Sequence, residues 1–369
     1  MTRRVSLLMG VTILMVVVTH AAGRGQIALI EWRTSYQSAA DLARDPTNSL
    51  AYWILMVIRQ LTSFAVPAFL FCSGFFVSYA ARGPQGRFTW KMVRARLIDI
   101  LVPYLIWSLL WFVLDALEGA THTPLDYVSQ LLTGQADGGS YYFIPLLCQF
   151  YLLSPLIVPL AKSRPRGLLI VAGLLQLANV VMVYLYAFGA TVPAALSWTT
   201  NLWLIFPWAI FFATGLVSGL HLDRFRPWLN RHKRRLLGGL AVLAVACVIE
   251  PEVIYRVTGR DVRLVPIAIS TILYTIVFLL VFLAFDRARL PRSTELTKLG
   301  NRSYGIYLTH LKAMEYMTRF IHVAAPALLA YQVVFIMPLT LVVGLGVPWA
   351  AMSLMIKSPL RKYYRYLFG

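Results

Sequence analysis

Charge is the first thing this chain is short of. Asp, Glu, Lys and Arg supply 13% of its 369 residues, about half of the roughly 25% with which a soluble domain covers its surface. Hydrophobic types reach 59% and mean hydropathy is +0.68, so much of the surface must face lipid. Cysteine is scarce as well. Cys72, Cys148 and Cys247 each stand alone in an apolar run, which argues against a disulfide framework or a cysteine metal site and fits small apolar packing residues. Also missing are a glycine loop followed by Lys-Ser/Thr, His-Glu-x-x-His, Gly-x-Ser-x-Gly and Cys-x-x-Cys. ATP hydrolysis, zinc proteolysis and serine hydrolysis at recognised motifs are therefore unsupported, and neither a metal nor a resident cofactor is expected. With no repeat or low-complexity tract, residues 1–369 read as a single membrane domain.

What the chain has instead is apolar runs. A span needs about 20 mainly apolar residues, and such runs lie at 5–22, 51–81, 98–118, 141–161, 168–188, 201–220, 236–254, 264–285, 303–321 and 327–356. They predict an all-α, polytopic transmembrane bundle of about ten spans. The second and tenth are long enough to tilt or break, with Pro67, Pro338 and Pro348 as kink sites. The seventh is the weakest, because Glu250 and Glu252 crowd its end.

The net charge of +19 would suit nucleic acid if the bases formed one patch. They fall instead in short clusters between spans, so no nucleic acid is expected. Segments 82–97, 162–167, 221–235 and 286–302 and both chain ends hold most of them, whereas the opposite loops hold Arg24, Arg33, Arg44, Arg256, Arg260 and Arg263. The positive-inside bias puts both termini in the cytoplasm and residues 23–50 outside, in a plasma (inner) membrane surrounded by lipid. Arg3 and Arg4 before an apolar run also resemble the start of a signal peptide. That run is longer than most signal h-regions, and the reading adopted is a retained helix. The outer loop 23–50 is too short for a domain but long enough to cover a cavity mouth.

Ionisable groups at membrane depth are costly, and each is a functional candidate. His20 lies about 21 Å along its helix from Ser6 at about 1.5 Å per residue, in the outer half of the membrane. A neutral imidazole there can take a proton from a hydroxyl; the plainer alternative is a histidine touching lipid headgroups. In the ninth span Lys312, Glu315 and Arg319 share one helical stripe, which reads either as substrate contacts or as a self-neutralising ion network. Tyr307 and His310 lie on another face, with structural and chemical roles both open. Arg59 either binds an anionic substrate group or snorkels to the interface. Gln176 and Asn179 read as packing residues.

Four segments, in order, resemble the membrane-bound acyltransferase-3 family, which modifies cell-envelope glycans. The first span closes on His20, as that family's opening helix closes on a histidine. Val66-Pro67-Ala68-Phe69-Leu70-Phe71-Cys72-Ser73-Gly74-Phe75 resembles its stretch ending in Ser-Gly-Phe, followed by a basic segment with Lys91, Arg94 and Arg96 and then Pro103-Tyr104. Residues 142–156, including Tyr151, are similar to its fourth-helix pattern, and Gly300-Asn301-Arg302-Ser303-Tyr304-Gly305-Ile306-Tyr307-Leu308-Thr309-His310 to its late Ser-Tyr-x-Ile-Tyr-Leu-x-His segment. The resemblance implies an acyl-CoA-dependent O-acyltransferase. An acyl group, usually acetyl, passes from cytoplasmic acetyl-CoA (or another acyl-CoA), a cosubstrate, to a hydroxyl of an extracytoplasmic glycan or lipid-linked sugar. His20 would be the general base, and Lys91, Arg94 and Arg96 a basic face for donor phosphates, where topology signalling alone is the alternative. Arg59, Tyr151, Tyr307, His310 and Glu315 are the substrate-site candidates. The family commonly has arginine eleven residues before the histidine; Met9 stands there, and Arg4 lies five residues nearer the N-terminus. A transporter or flippase for envelope glycans or lipids shares these features, and a sensory or scaffold module has no need of His20.

Overall fold

The computed structural model describes residues 2–82, 86, 88–191, 194–261, 268–286, 288 and 291–369; of the bases in the charge argument, Arg87, Arg263, Arg287 and Arg289 lie outside them. The fold is all-α, with no strand among the described residues. The helices that matter here are α1 (Thr2–Ile30), α2 (Leu50–Thr62), α3 (Ala65–Ala80), α4 (Trp90–Leu117), α5 (Pro124–Thr133), α6 (Phe143–Ser163), α7 (Pro165–Ala187), α8 (Ala209–Leu220), α9 (Leu222–Thr258), α10 (Ile269–Ala284), α11 (Ser293–Asn301), α12 (Ser303–Ala324), α13 (Met337–Lys357) and α14 (Tyr364–Phe368). Among the described residues seven stretches are long and apolar enough to cross a membrane: Arg4–Ile30, Leu50–Ala80, Trp90–Leu117, Phe143–Ser163, Pro165–Ala187, Leu222–Thr258 and Gln332–Lys357. The shorter apolar helices α8 and α10 and the charged helix α12 occupy the other three expected positions.

Several expected boundaries move. Helix α1 runs to Ile30, so the first outer loop starts eight residues later than the 5–22 run implied. The expected sixth span, 201–220, is helical only over the 12 residues of α8, about 18 Å, too short to cross alone. The turns before it are held from α7, where Gln176 donates to the Pro207 carbonyl (2.6 Å) and Asn179 to that of Thr199 (3.2 Å). Helix α9 has 37 residues, about 55 Å, so its basic N-terminal third runs beyond the apolar part.

The long second span does break, and the cause lies one turn past the gap. Proline has no N–H, and its ring crowds the carbonyl four residues back. For Pro67 that residue is Ser63, where α2 ends before α3 begins. Hydroxyls satisfy the carbonyls freed at membrane depth: Ser63 donates to Gln60 (2.6 Å), Thr62 to Ile58 (2.8 Å) and Tyr274 to Leu61 (2.8 Å). Pro338 is absorbed by a π-helical turn, Gln332–Ile336, whereas α13 continues through Pro348.

Helix α1 is the axis of the bundle, packed against α2, α3, α11, α12 and α13. It buries residues all round its circumference, Val5, Leu8, Ile13, Val17, Ala21 and Ala28 among them, as expected of a helix apolar on every side. Gly10 lets α11 touch its backbone: a Cβ there would sit 1.8 Å from the Leu296 carbonyl oxygen. That contact sets the level from which α12 rises beside α1. A second close crossing joins α3 to α8, where a Cβ on Gly215 would lie 2.0 Å from the Phe71 carbonyl oxygen, the small-residue packing that membrane helices use.

Candidate active site

The first and last of the four segments meet at the centre. The His20 and His310 rings stand 5.2 Å apart at 57°, brought together because α12 rises beside α1. His310 is fully buried, and its Nδ1 lies 3.0 Å from the Ile306 carbonyl oxygen and 2.8 Å from that of Tyr307. Carbonyls only accept, so Nδ1 carries the proton and Nε2 is the bare acceptor. Nε2 is buried with no hydrogen-bond partner among the described residues. His20 is partly exposed, beside the break in the second span, where the preceding Thr19 donates to the Thr62 hydroxyl (2.7 Å).

Beyond His20 lies a layer of charge. Arg24, one turn further along α1, reaches Glu315 at 3.7 Å, and Glu315 also pairs with Lys312 (3.5 Å) and Arg319 (2.5 Å). Asp115 and Glu118 at the end of α4 complete the layer, 3.4 Å from Lys312 and 2.6 Å from Arg319. Three cations thus face three carboxylates, and the 312/315/319 stripe is part of an interhelical ion network. Arg59, in the last turn of α2, donates to Gln26 of α1.

Tyr307 is occupied differently. Its hydroxyl donates to the Ser140 carbonyl (2.5 Å), and Tyr141 bonds the Leu308 carbonyl while accepting from Trp111 (2.8 Å). The loop before α6 is therefore tucked into the bundle. Asp137 holds it there, accepting from the backbone N–H groups of Gly139 (3.1 Å), Ser140 (2.9 Å) and Tyr141 (3.1 Å) and from the Ser140 hydroxyl. Burial pushes the Asp137 carboxyl up from the usual range, against the pull of those donors.

The middle segments form a second cluster. Tyr151 of α6 is buried, with its hydroxyl facing Ser73 of α3 and Arg96 of α4 within electrostatic range. Lys91, Arg94 and Arg96 are all exposed, but they do not share one face. Lys91 and Arg94 are one turn apart, whereas Arg96 is two residues on, about 200° round the helix at 3.6 residues per turn. Arg94 instead borders a groove of about 320 Å³ with Trp90, Val93, Leu97 and Leu152. A larger groove of about 850 Å³ runs between α7, α9 and α10; neither touches His20. Arg4 does not stand in for an arginine at position 9. It donates to the Phe282 and Ala288 carbonyls, each at 3.0 Å, satisfying the end of α10, while Met9 packs among apolar side chains.

Nothing in the local sequence marks Arg24, Gln26, Asp115, Glu118 and Asp137 as part of this centre. Arg24 is four residues, one turn, past His20, but an apolar run ending at residue 22 leaves it in the loop. Asp137-Gly138-Gly139-Ser140 carries a turn signal, with Gly138 at φ 91° and Gly139 at φ 110°, yet nothing in it announces that the turn is buried.

A bundle of membrane-spanning helices around one polar centre defines the class, a multi-pass helical membrane protein. The Acyltransferase domain model of the acyltransferase-3 family matches residues 4–352, and the chain belongs to that family. It is also similar to a protein of Staphylococcus aureus (strain MRSA252) named "Probable poly-beta-1,6-N-acetyl-D-glucosamine export protein", at 27% identity over 195 residues. That match covers 51% of this chain and 51% of the relative, so the chain spans about half the length of the curated relative it matches. No solved structure matches the chain.

Proposed function

We propose that this protein transfers an acyl group, acetyl in the first instance, from a cytoplasmic acyl-CoA to a hydroxyl of an extracytoplasmic glycan or lipid-linked sugar, in the plasma (inner) membrane. The observation that carries the reading is the histidine pair: the two histidine-bearing segments that resemble the family's pattern meet at His20 and His310, with ring centroids 5.2 Å apart. His20 takes the proton of the acceptor hydroxyl as its oxygen attacks the thioester carbonyl carbon. The C–O bond forms, the C–S bond breaks, and the proton passes from His20 to the departing thiolate, leaving an ester and free coenzyme A. Arg96, within electrostatic range of Tyr151, and Arg94, on the lining of its groove, are the donor-phosphate contacts, and Lys91 adds charge beside Arg94. Arg59 is the group nearest in kind to an anion contact at the outer side of His20.

The test is transfer of labelled acetyl from acetyl-CoA to an envelope glycan by purified protein in proteoliposomes. Label should appear on the glycan with wild-type protein and fall to background with His20→Ala. A second reading, export of a glycan without acylation, is favoured by the name of the staphylococcal relative. Glycan crossing the same vesicles with no acyl-CoA present, and no label transferred when it is supplied, would put export first.

A further inference from the structure

The mechanism above leaves one buried group unused, the Nε2 atom of His310. Its ring orientation is not free. Both carbonyls at Nδ1 demand a proton there, which makes Nε2 an acceptor in the neutral ring. A buried acceptor without a partner is costly, and among the described residues no group, His20 included, hydrogen-bonds this one as the rings stand, although the His20 ring lies beside it with its centroid 5.2 Å away. Ring nitrogens stand roughly 1 Å off the ring centroid, so centroids 5.2 Å apart allow facing nitrogens to approach about 3 Å, hydrogen-bond distance. The 57° tilt lets an N–H of one ring point at the lone pair of the other, directly or through one water.

We infer that His310 is a positioning residue that fixes the tautomer of His20. The backbone of α12 dictates the proton on Nδ1 of His310; the bare Nε2 then accepts the N–H of His20; the remaining nitrogen of His20 is left as the base. This order, carbonyl to histidine to histidine to hydroxyl, gives a neutral imidazole the task that a carboxylate performs in a serine hydrolase triad, holding the base in one tautomer and orientation. Two other ionisable groups act on His20 electrostatically, Arg24 from its own helix and Arg59 from α2. Both are cations and donors only, so neither can accept the N–H. Of the ionisable groups that act on His20, His310 is the one that offers an acceptor.

The inference rests on His20 being the base, and its test is chosen to stand apart from turnover. Protein carrying ¹⁵N-histidine in lipid is examined by solid-state NMR, with the His20 signals assigned by their loss in His20→Ala. Wild-type His20 should show one neutral tautomer. In His310→Phe, which keeps a ring and removes the acceptor, the two His20 tautomers should mix, while His310→Gln, which keeps a side-chain acceptor, should restore most of the single form. In the acetyl-transfer assay His310→Phe should lower kcat about 10²-fold with KM for acetyl-CoA unchanged, and His310→Gln should recover part of that loss. An unchanged His20 tautomer in folded His310→Phe overturns the inference. A tautomer that responds as expected in a protein with no acetyl transfer keeps the pairing and removes the acyltransferase reading instead.

Discussion

The two ends of this bundle handle positive charge in opposite ways. At the end beyond His20, Arg24, Lys312 and Arg319 are each matched by Glu315, Asp115 or Glu118, with Arg24, Lys312 and Glu315 largely buried. At the other end Lys91, Arg94 and Arg96 are exposed and form no ion pair among the described residues. A matched network has little charge to offer a ligand, and it holds three helices in register. Spare exposed charge contributes little to the fold and is available to an anion. Under the proposed function the first region is structural and the second meets the donor, with His20 between them.

The sharpest break in that scheme is at the centre. His20→Ala should lower acyl transfer by about 10²–10⁴-fold, the usual contribution of a positioned base, with the melting temperature little changed; near-normal turnover would sink the mechanism. Next comes the hub of the matched end. Glu315→Gln leaves the buried Arg24 and Lys312 undercompensated, and removing one partner of a buried pair costs about 3–5 kcal/mol. Thermal unfolding in detergent should show a large loss of stability there, and an unchanged melting curve would return Glu315 to the substrate contacts.

At the spare end the expectation reverses. Arg94→Ala and Arg96→Ala should each raise KM for acetyl-CoA, since a charge-assisted hydrogen bond is worth about 1.5–3 kcal/mol, while stability stays within about 0.5 kcal/mol. Equal KM values would reduce both to topology signals. The smallest effect is expected at the rim of the network: Arg319 is half exposed, and Arg319→Ala should cost about 0.2–1 kcal/mol. Cysteines introduced by Ser35→Cys and Ala190→Cys should label from outside, and those from Asn230→Cys and Glu295→Cys only after permeabilisation. Outside labelling at 230 would invert the assignment of the two ends.

Much of the fold is legible in the order of the amino acids. Runs of apolar residues are long-range blind but locally unambiguous, because the bilayer demands about 20 of them per helix, and so the helical class and the approximate span positions follow from composition alone. Its length and Pro67 mark the second span as one that tilts or breaks, since the loss of an N–H and the clash four residues back are local. His20 stands out because an imidazole at the end of an unbroken apolar run is hard to place by chance. Boundaries are less secure. Arg24 and Gln26 look like loop residues until Glu315 and Arg59 are seen to receive them, because a polar residue is compatible with a membrane helix only when its partner comes from another element.

That this chain lives in a membrane, that it is built of helices, and which few polar residues have to be explained there all follow from residue order, since each depends on the cost of moving side chains and backbone out of water. How those residues pair is a property of the tertiary structure. His20 and His310 are 290 residues apart along the chain, Tyr307 and Ser140 167, and Lys312 and Asp115 197. No local propensity encodes such contacts. They arise because Gly10 lets α11 settle against α1, so that α12 starts where its histidine meets the one on α1 and its charges meet those of α4.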